Sequence, residues 1–424
     1  MNFILKGNIC YSASPDKLKT VENGYIICEG GISRGVFSEV PEKYRTLPIT
    51  DYGNYLIIPG LCDLHLHAPQ YTFRALGMDL ELIDWLTTHA FPEEAKYADL
   101  EYASARYSAF VADLLHSATT RACIFATINT PATLLLMEKL ESSGLATFVG
   151  KVNMDMNSPD YLCEKSAASS LEETEKFITG ANSKNFKNTY PILTPRFVPT
   201  CSSELLSGLG KLSKQHKIPI QSHLSENKSE IEWVKDMYPD SESYGEVYDR
   251  FGLFDSAIMA HCVWSEGKEE TLIKDRGVYV AHCPQSNTNL ASGIAPIRRF
   301  LKNSIRVGLG SDVAGGCHIS IFRAMSDAVQ ASKLYWRLIN QNDTPLTEKE
   351  VFYMGTKGGG SFFSNFGNLG KVGSFDDGYE FDAVIIDDSN ISDSLSIEDR
   401  LARVIYLSGD HCIYDKYVRG EKLW

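Results

Sequence analysis

Long apolar runs are missing from this chain. No stretch approaches the ~18 consecutive apolar residues of a membrane span, and Met1-Asn2-Phe3-Ile4-Leu5-Lys6 lacks the long apolar core of a signal peptide. No membrane partner is expected. A basic excess is missing too: 41 Lys and Arg stand against 54 Asp and Glu, and the net charge of −13 argues against nucleic acid as a partner. Nothing in that balance disfavours a small neutral substrate. Cysteine occurs ten times but never at a disulfide-framework spacing. Cys62, Cys123, Cys262 and Cys283 fall in or just after strand-like runs and read as reduced, packed thiols of a cytoplasmic protein. Internal repeats and low-complexity segments are absent as well.

What is present is enough chain for a large core: 424 residues, 43% of them hydrophobic, suit one large domain plus a small one. Up to about residue 57 short apolar runs alternate with glycine and charged turns, as in a small antiparallel β unit. From about residue 59 the pattern becomes strand, loop, helix, repeated. Strands are expected at 118–127, 147–154 and 191–198, and helices at 100–116, 132–142, 171–178, 203–216, 230–237 and 319–338. With four later runs and the opening one this makes eight strands, the pattern of a (β/α)8 TIM-like barrel over residues 59–368. The runs Ala383-Val384-Ile385-Ile386 and Arg403-Val404-Ile405-Tyr406-Leu407 also look β-like. They would complete a small β-sandwich domain built from both termini, residues 1–58 and 369–424. The segment 68–98 is too long for a plain connection; it carries the helically spaced Leu80-Glu81-Leu82-Ile83-Asp84-Trp85-Leu86 and reads as one wall of a pocket.

The chemistry sits at the strand ends. Tyr55-Leu56-Ile57-Ile58-Pro59-Gly60 leads into Leu61-Cys62-Asp63-Leu64-His65-Leu66-His67, and side chains two apart on a strand share a face. Four later apolar runs deliver His223, His261, His282 and Asp312 in the same way. In a parallel barrel all these ends meet at one mouth. His65, His67, His223 and Asp312 then supply three nitrogens and one carboxylate, a donor set for a catalytic zinc with a position left for water; the same donors suit iron. Glu226, three residues past His223, faces the mouth if the chain turns there, and a carboxylate beside activated water shuttles protons. His261 is expected to hydrogen-bond the nucleophile or to act as a further ligand, and His282 to stand behind the ligands. Plainer readings exist for each residue alone. His223 could be a core histidine, Asp312 a helix cap and Glu226 a solvated first-turn carboxylate. Together they require unrelated accidents on five strands.

These residues resemble the amidohydrolase superfamily: Pro59-Gly60 leading to His65-Leu66-His67, then His223, His261 and Asp312. The narrower resemblance is to its guanine-deaminating branch. It rests on Ala68-Pro69-Gln70-Tyr71, Asp84-Trp85-Leu86, Phe91-Pro92, Gly150-Lys151-Val152, Thr194-Pro195-Arg196-Phe197, Gln221-Ser222-His223-Leu224-Ser225-Glu226 and Gly310-Ser311-Asp312-Val313-Ala314-Gly315-Gly316. The resemblance implies one zinc per chain on His65, His67, His223 and Asp312, and hydrolytic deamination of guanine to xanthine and ammonia. Glu226, Asp312 and His261 would be catalytic. His67, Gln70, Arg196, Phe197, His223 and Glu226 would bind the purine base, with Arg196 donating to its carbonyl and Phe197 stacking on its ring. Without the resemblance, Arg196-Phe197 reads as a strand-end ion pair beside a core aromatic. Two-metal members carry a bridging lysine on the fourth strand, and Pro191-Ile192-Leu193-Thr194-Pro195-Arg196 has none. Relatives are typically homodimers. The alternatives are a one-metal deaminase of another purine, a pterin or a triazine, and a non-catalytic barrel scaffold, which would be expected to have lost ligands.

Overall fold

In the computed structural model, residues 1–366, 369–390, 395–407 and 409–424 are described. Tight turns at Pro15-Asp16 and through Gly30 and Gly31 (φ 63° and 79°) fold the first residues back on themselves. Strand β1 (Asn2–Ser14) pairs antiparallel with β2 (Lys17–Glu29), which pairs antiparallel with β3 (Ile32–Phe37). Strand β4 (Ile49–Pro59) departs from the expected antiparallel unit by running parallel to β1, with Ile9 opposite Ile57.

The chain then enters parallel β structure. Strands β5 (Leu61–His67), β6 (Thr119–Phe125), β7 (Ala146–Gly150) and β9 (Thr189–Pro191) form one four-stranded parallel sheet. The short β8 (Val152–Asn153) and β10 (Thr194–Pro195) pair with each other. Two of the expected strands are therefore broken, one at Lys151 and one between Pro191 and Thr194, where two prolines remove ladder donors. A second parallel sheet holds β11 (Gln221–Leu224), β12 (Ile258–His261), β13 (Tyr279–His282) and β14 (Arg306–Leu309). Backbone bonds join the edges. Leu193 N–H donates to Pro219 O (2.9 Å) on one side, and Asp312 N–H donates to His65 O (2.8 Å) on the other. Helices lie between the strands, among them Leu100–His116, whose Asp99 caps the Glu101 and Tyr102 amides, and Ser203–His216, capped by Ser202.

Strands β15 (Ala383–Ile386), β16 (Ile413–Val418) and β17 (Glu421–Lys422) return to β4, so both termini share a seven-stranded sheet in the order β17-β16-β15-β4-β1-β2-β3. One expectation fails here. The run Arg403-Val404-Ile405-Tyr406-Leu407 lies at the end of a helix, Ile397–Tyr406, not in a strand. Ser396 caps that helix through the Asp399 amide, and Ile397, Leu401, Val404 and Ile405 recur at helical spacing on its buried face. The β-branched pair outweighed that periodicity in the sequence reading. The expected boundary at residue 368 lies outside the described residues.

The terminal sheet is locked to the parallel strands by buried charge. Arg121 of β6 is fully buried, with Nε 2.7 Å from Asp382 Oδ2 and Nη2 2.6 Å from Glu380 Oε2. Lys416 of β16, also buried, donates to the carbonyls of Leu114, Ser117 and Thr119, which satisfies the C-terminal end of helix Leu100–His116.

Candidate metal centre and substrate pocket

Parallel pairing brings the strand ends together. His65 and His67 leave β5 on one face, His223 lies in β11, His261 ends β12, and Asp312 follows β14 by three residues. All five are buried. His67 Nε2 lies 3.3 Å from both His65 Nε2 and His223 Nε2, while Asp312 Oδ1 lies 3.2 Å from His65 Nε2 and 3.5 Å from His67 Nε2. Donors ~2.0–2.1 Å from a zinc at tetrahedral angles stand roughly 3.3–3.4 Å apart, so these four pairs have the spacing of ligands; the three histidines form one group, and Asp312 groups with His65, His261 and Cys283. His223 Nδ1 donates to Arg196 O (2.6 Å), which turns its Nε2 lone pair toward the cluster. Burial pushes the pKa values of His65, His67 and His223 down, keeping the imidazoles neutral and able to ligate. Burial alone would raise Asp312, but His65, then His261 and His67, hold it well below the usual carboxylate range. The donor set fits a zinc ion.

Close packing behind His65 is permitted by Gly310, where a Cβ would come within 2.9 Å of His65 Cβ. Asp63, buried beneath, accepts the amides of His65 and Ser311 at 3.1 and 3.0 Å and ties β5 to the end of β14. Asp312 and His261 themselves sit in the left-handed region (φ 47° and 73°), a strain of about 1–3 kcal/mol each that the surrounding hydrogen bonds sustain.

Glu226 reaches the mouth because the chain turns at Ser225 (φ 47°), ahead of helix Lys228–Met237. Its Oε2 lies 3.3 Å from His261 Nε2, and its Oε1 accepts from Ser292 Oγ at 3.1 Å. Burial pushes the Glu226 carboxyl up to about 7, the range in which a proton is both held and released. His261 donates from Nδ1 to Asn287 Oδ1 (2.9 Å), and its Nε2 also faces Asp312 Oδ2 at 3.7 Å. Burial lowers its pKa, but Glu226 and Asp312 raise it more, and the net shift is upward. His282 is buried, its Nδ1 has no hydrogen-bond partner among the described residues, and burial pushes its pKa down to about 3.

Beside this cluster opens a small pocket. Its walls include His67, Gln70, Arg196, Phe197, His223, Glu226, His261 and Asp312, together with Leu82, Trp85 and Leu86 from the long segment after β5. Arg196 makes an ion pair, as its plainer reading required, and it also faces the cavity. Its Nη1 and Nη2 grip Glu94 at 2.6 and 3.0 Å.

Residues 56–423 match the Amidohydrolase family. The chain belongs to that family. A guanine deaminase of Dictyostelium discoideum is 38% identical over 99% of this chain and 98% of its own length. A guanine deaminase structure from C. acetobutylicum, with guanine bound in its active site, is 45% identical, covers 100% of both chains and superposes with a TM-score of 0.96. A zinc-bound adenosine deaminase from Xanthomonas campestris shares the fold, at 22% identity and a TM-score of 0.82 over 99% of this chain and 92% of its own.

Several residues of this amidohydrolase's mouth escaped the sequence reading. Glu94 follows Phe91-Pro92, but a glutamate in a helical first turn looks like any solvated carboxylate. Glu230 lies on the helix after β11, and Leu290 and Ser292 lie on the segment after β13, each several residues past the strand-end histidine. Cys283, read as core filler, has its Sγ within 4.8 Å of ligating atoms of His65, His261 and Asp312. Adjacency to His282 was its only signal.

Proposed function

We propose that this chain hydrolyses guanine to xanthine and ammonia at this mouth, with one zinc per chain held by His65, His67, His223 and Asp312. The observation that carries the reading is the close approach of those donors, with His67, His223 and Asp312 on the wall of a pocket that also holds Glu226 and Arg196. The likeness to guanine deaminases over the whole chain adds support. Bound there, zinc would supply Lewis acidity and lower the pKa of a water toward neutrality.

The protein's own groups do the rest. Arg196 donates to the purine carbonyl, Gln70 bonds a ring edge, and Phe197 stacks on the ring, while His67 and His223 bound the substrate on the ligand side. Glu226 gives a proton to the ring nitrogen beside the amino-bearing carbon as water adds there. Asp312, next to His261, takes the proton that the water loses. Asp312 then gives its proton to the departing amine, Glu226 takes the proton of the new hydroxyl as the carbonyl forms, and ammonia leaves. The atoms balance as guanine plus water giving xanthine plus ammonia.

The same reading makes residues 59–368 a closed (β/α)8 barrel, supported by the hydrogen bonds that join both pairs of sheet edges. Residues 1–58 and 369–424 would form the β-sandwich, supported by apolar side chains of β1, β2, β4, β15 and β16 packed into one cluster. Ten unpaired cysteines suit a reducing cytoplasm, and no described helix is long and apolar enough to cross a membrane. Exposed Leu334, Leu338 and Ile339 offer an apolar face for the homodimer.

Ammonia release from guanine, with and without a chelator, tests the reading. Release that stops on chelation and returns with zinc is expected. No release from guanine, with release from adenine, cytosine or ammeline, would transfer the chain to another substrate.

A further inference from the structure

Glu94 does not itself line the cavity, yet it governs two residues that do. Its Oε1 accepts from Gln70 Nε2 at 2.7 Å, and both its oxygens accept from Arg196. On the other side of the same amide, Gln70 Oε1 accepts the Ala314 N–H at 3.1 Å. These two bonds fix which way the amide faces. Turned over, it would set its NH2 against the Ala314 N–H and its oxygen against the Glu94 carboxylate, losing both bonds. Gln70 therefore keeps one N–H to offer the pocket, and Arg196, a donor at every nitrogen, offers more.

Glu94 is 1% exposed, and Arg196 answers its charge, so the pair is held without water. Phe91 of the same short helix lies beneath the Arg196 guanidinium, 4.9 Å from its centre. The neighbouring Glu93 faces away, toward Thr72 and Lys96. Only one carboxylate of the pair is aimed at the pocket wall.

We infer that Glu94 is a positioning residue that makes this edge of the pocket donate hydrogen bonds only, selecting a purine with a carbonyl there over one with an amino group. The inference rests on the purine-deaminating reading above. An amino group meeting this edge finds no acceptor and leaves buried donors facing each other. Sites built around such hydrogen bonds discriminate far more strongly than apolar pockets do.

The test compares guanine with 2,6-diaminopurine, which has an amino group in place of the carbonyl, by ammonia release from the zinc-loaded protein. Wild-type protein that releases no ammonia from guanine sinks the deamination reading itself. Given wild-type activity, Glu94→Gln should lower the ratio of kcat/KM for guanine over diaminopurine by roughly tenfold or more, mainly through KM for guanine. Glu94→Asp, which keeps the charge, should restore most of the ratio. A Glu94→Gln protein that loses activity on both substrates equally, with the ratio unchanged, overturns the inference, because a purely structural role predicts that result. Should Glu94→Gln fail to fold, Gln70→Leu removes the oriented amide without stranding a charge. The ratio should fall there too, and an unchanged ratio likewise overturns the inference.

Discussion

Two clusters of buried charge in this amidohydrolase look alike in composition and differ in completeness. At the seam with the terminal sheet, one guanidinium, Arg121, meets two carboxylates, Asp382 and Glu380, at 2.7 and 2.6 Å. At the mouth, His67 Nε2 stands 3.3 Å from the Nε2 of His65 and of His223, Asp312 Oδ1 stands 3.2 and 3.5 Å from His65 and His67, and burial holds the imidazoles neutral. The first cluster answers its own charges and docks one part of the chain on another. The second aims lone pairs at one another and at a carboxylate, an arrangement that a cation completes. Burial serves structure where the partners are all protein, and chemistry where one partner must come from outside.

That contrast can be broken by substitution. Asp312→Ala has the largest expected effect, since on the proposed function it removes a ligand and the proton acceptor together. Zinc per chain should fall toward zero by metal analysis, and guanine turnover by more than ~10⁴-fold. A variant that retains both would separate Asp312 from the metal. Glu226→Gln should lower kcat by about 10²–10⁴-fold with zinc still bound; loss of zinc in parallel would mean that Glu226 holds the metal and not the proton. Arg121→Met works on the other cluster and strands two buried carboxylates. Stability by urea unfolding should drop by about 3–5 kcal/mol while kcat of the folded protein stays near wild type. A change in zinc content there would show that the two clusters are coupled.

The smallest effect is a retention. Only the neutral imidazole ligates, and burial holds His67 and His223 well below the ordinary 6.5. Lowering the pH protonates a histidine only once it passes the folded-state pKa. Zinc content measured after dialysis should therefore stay level as pH falls through 6.5 and drop only at more acid values. Loss centred on 6.5 would mean that the imidazoles are solvated.

The side chains of the mouth were legible because parallel strands convert sequence position into spatial position. A histidine or aspartate closing an apolar run stands at the strand end, wherever in the chain that run lies. Helices Leu100–His116 and Ser203–His216 were legible to the residue through their apolar spacing. The helix Ile397–Tyr406 was misread because Val404 and Ile405 favour strands in isolation, while its cap and buried stripe favour a helix. Glu94 was invisible because its partners, Gln70 and Arg196, lie 24 and 102 residues away.

By itself the order of residues determined the alternation of strand and helix and which side chains stand at strand ends, since periodicity and capping act over a few residues. Tertiary structure alone decided that Ser225 turns Glu226 into the mouth, that Glu94 orients Gln70 and Arg196, and that Arg121 joins the terminal sheet to β6. Each of those depends on groups far apart in the chain meeting where water is excluded, and there an unmatched charge or donor costs more than the geometry that matches it.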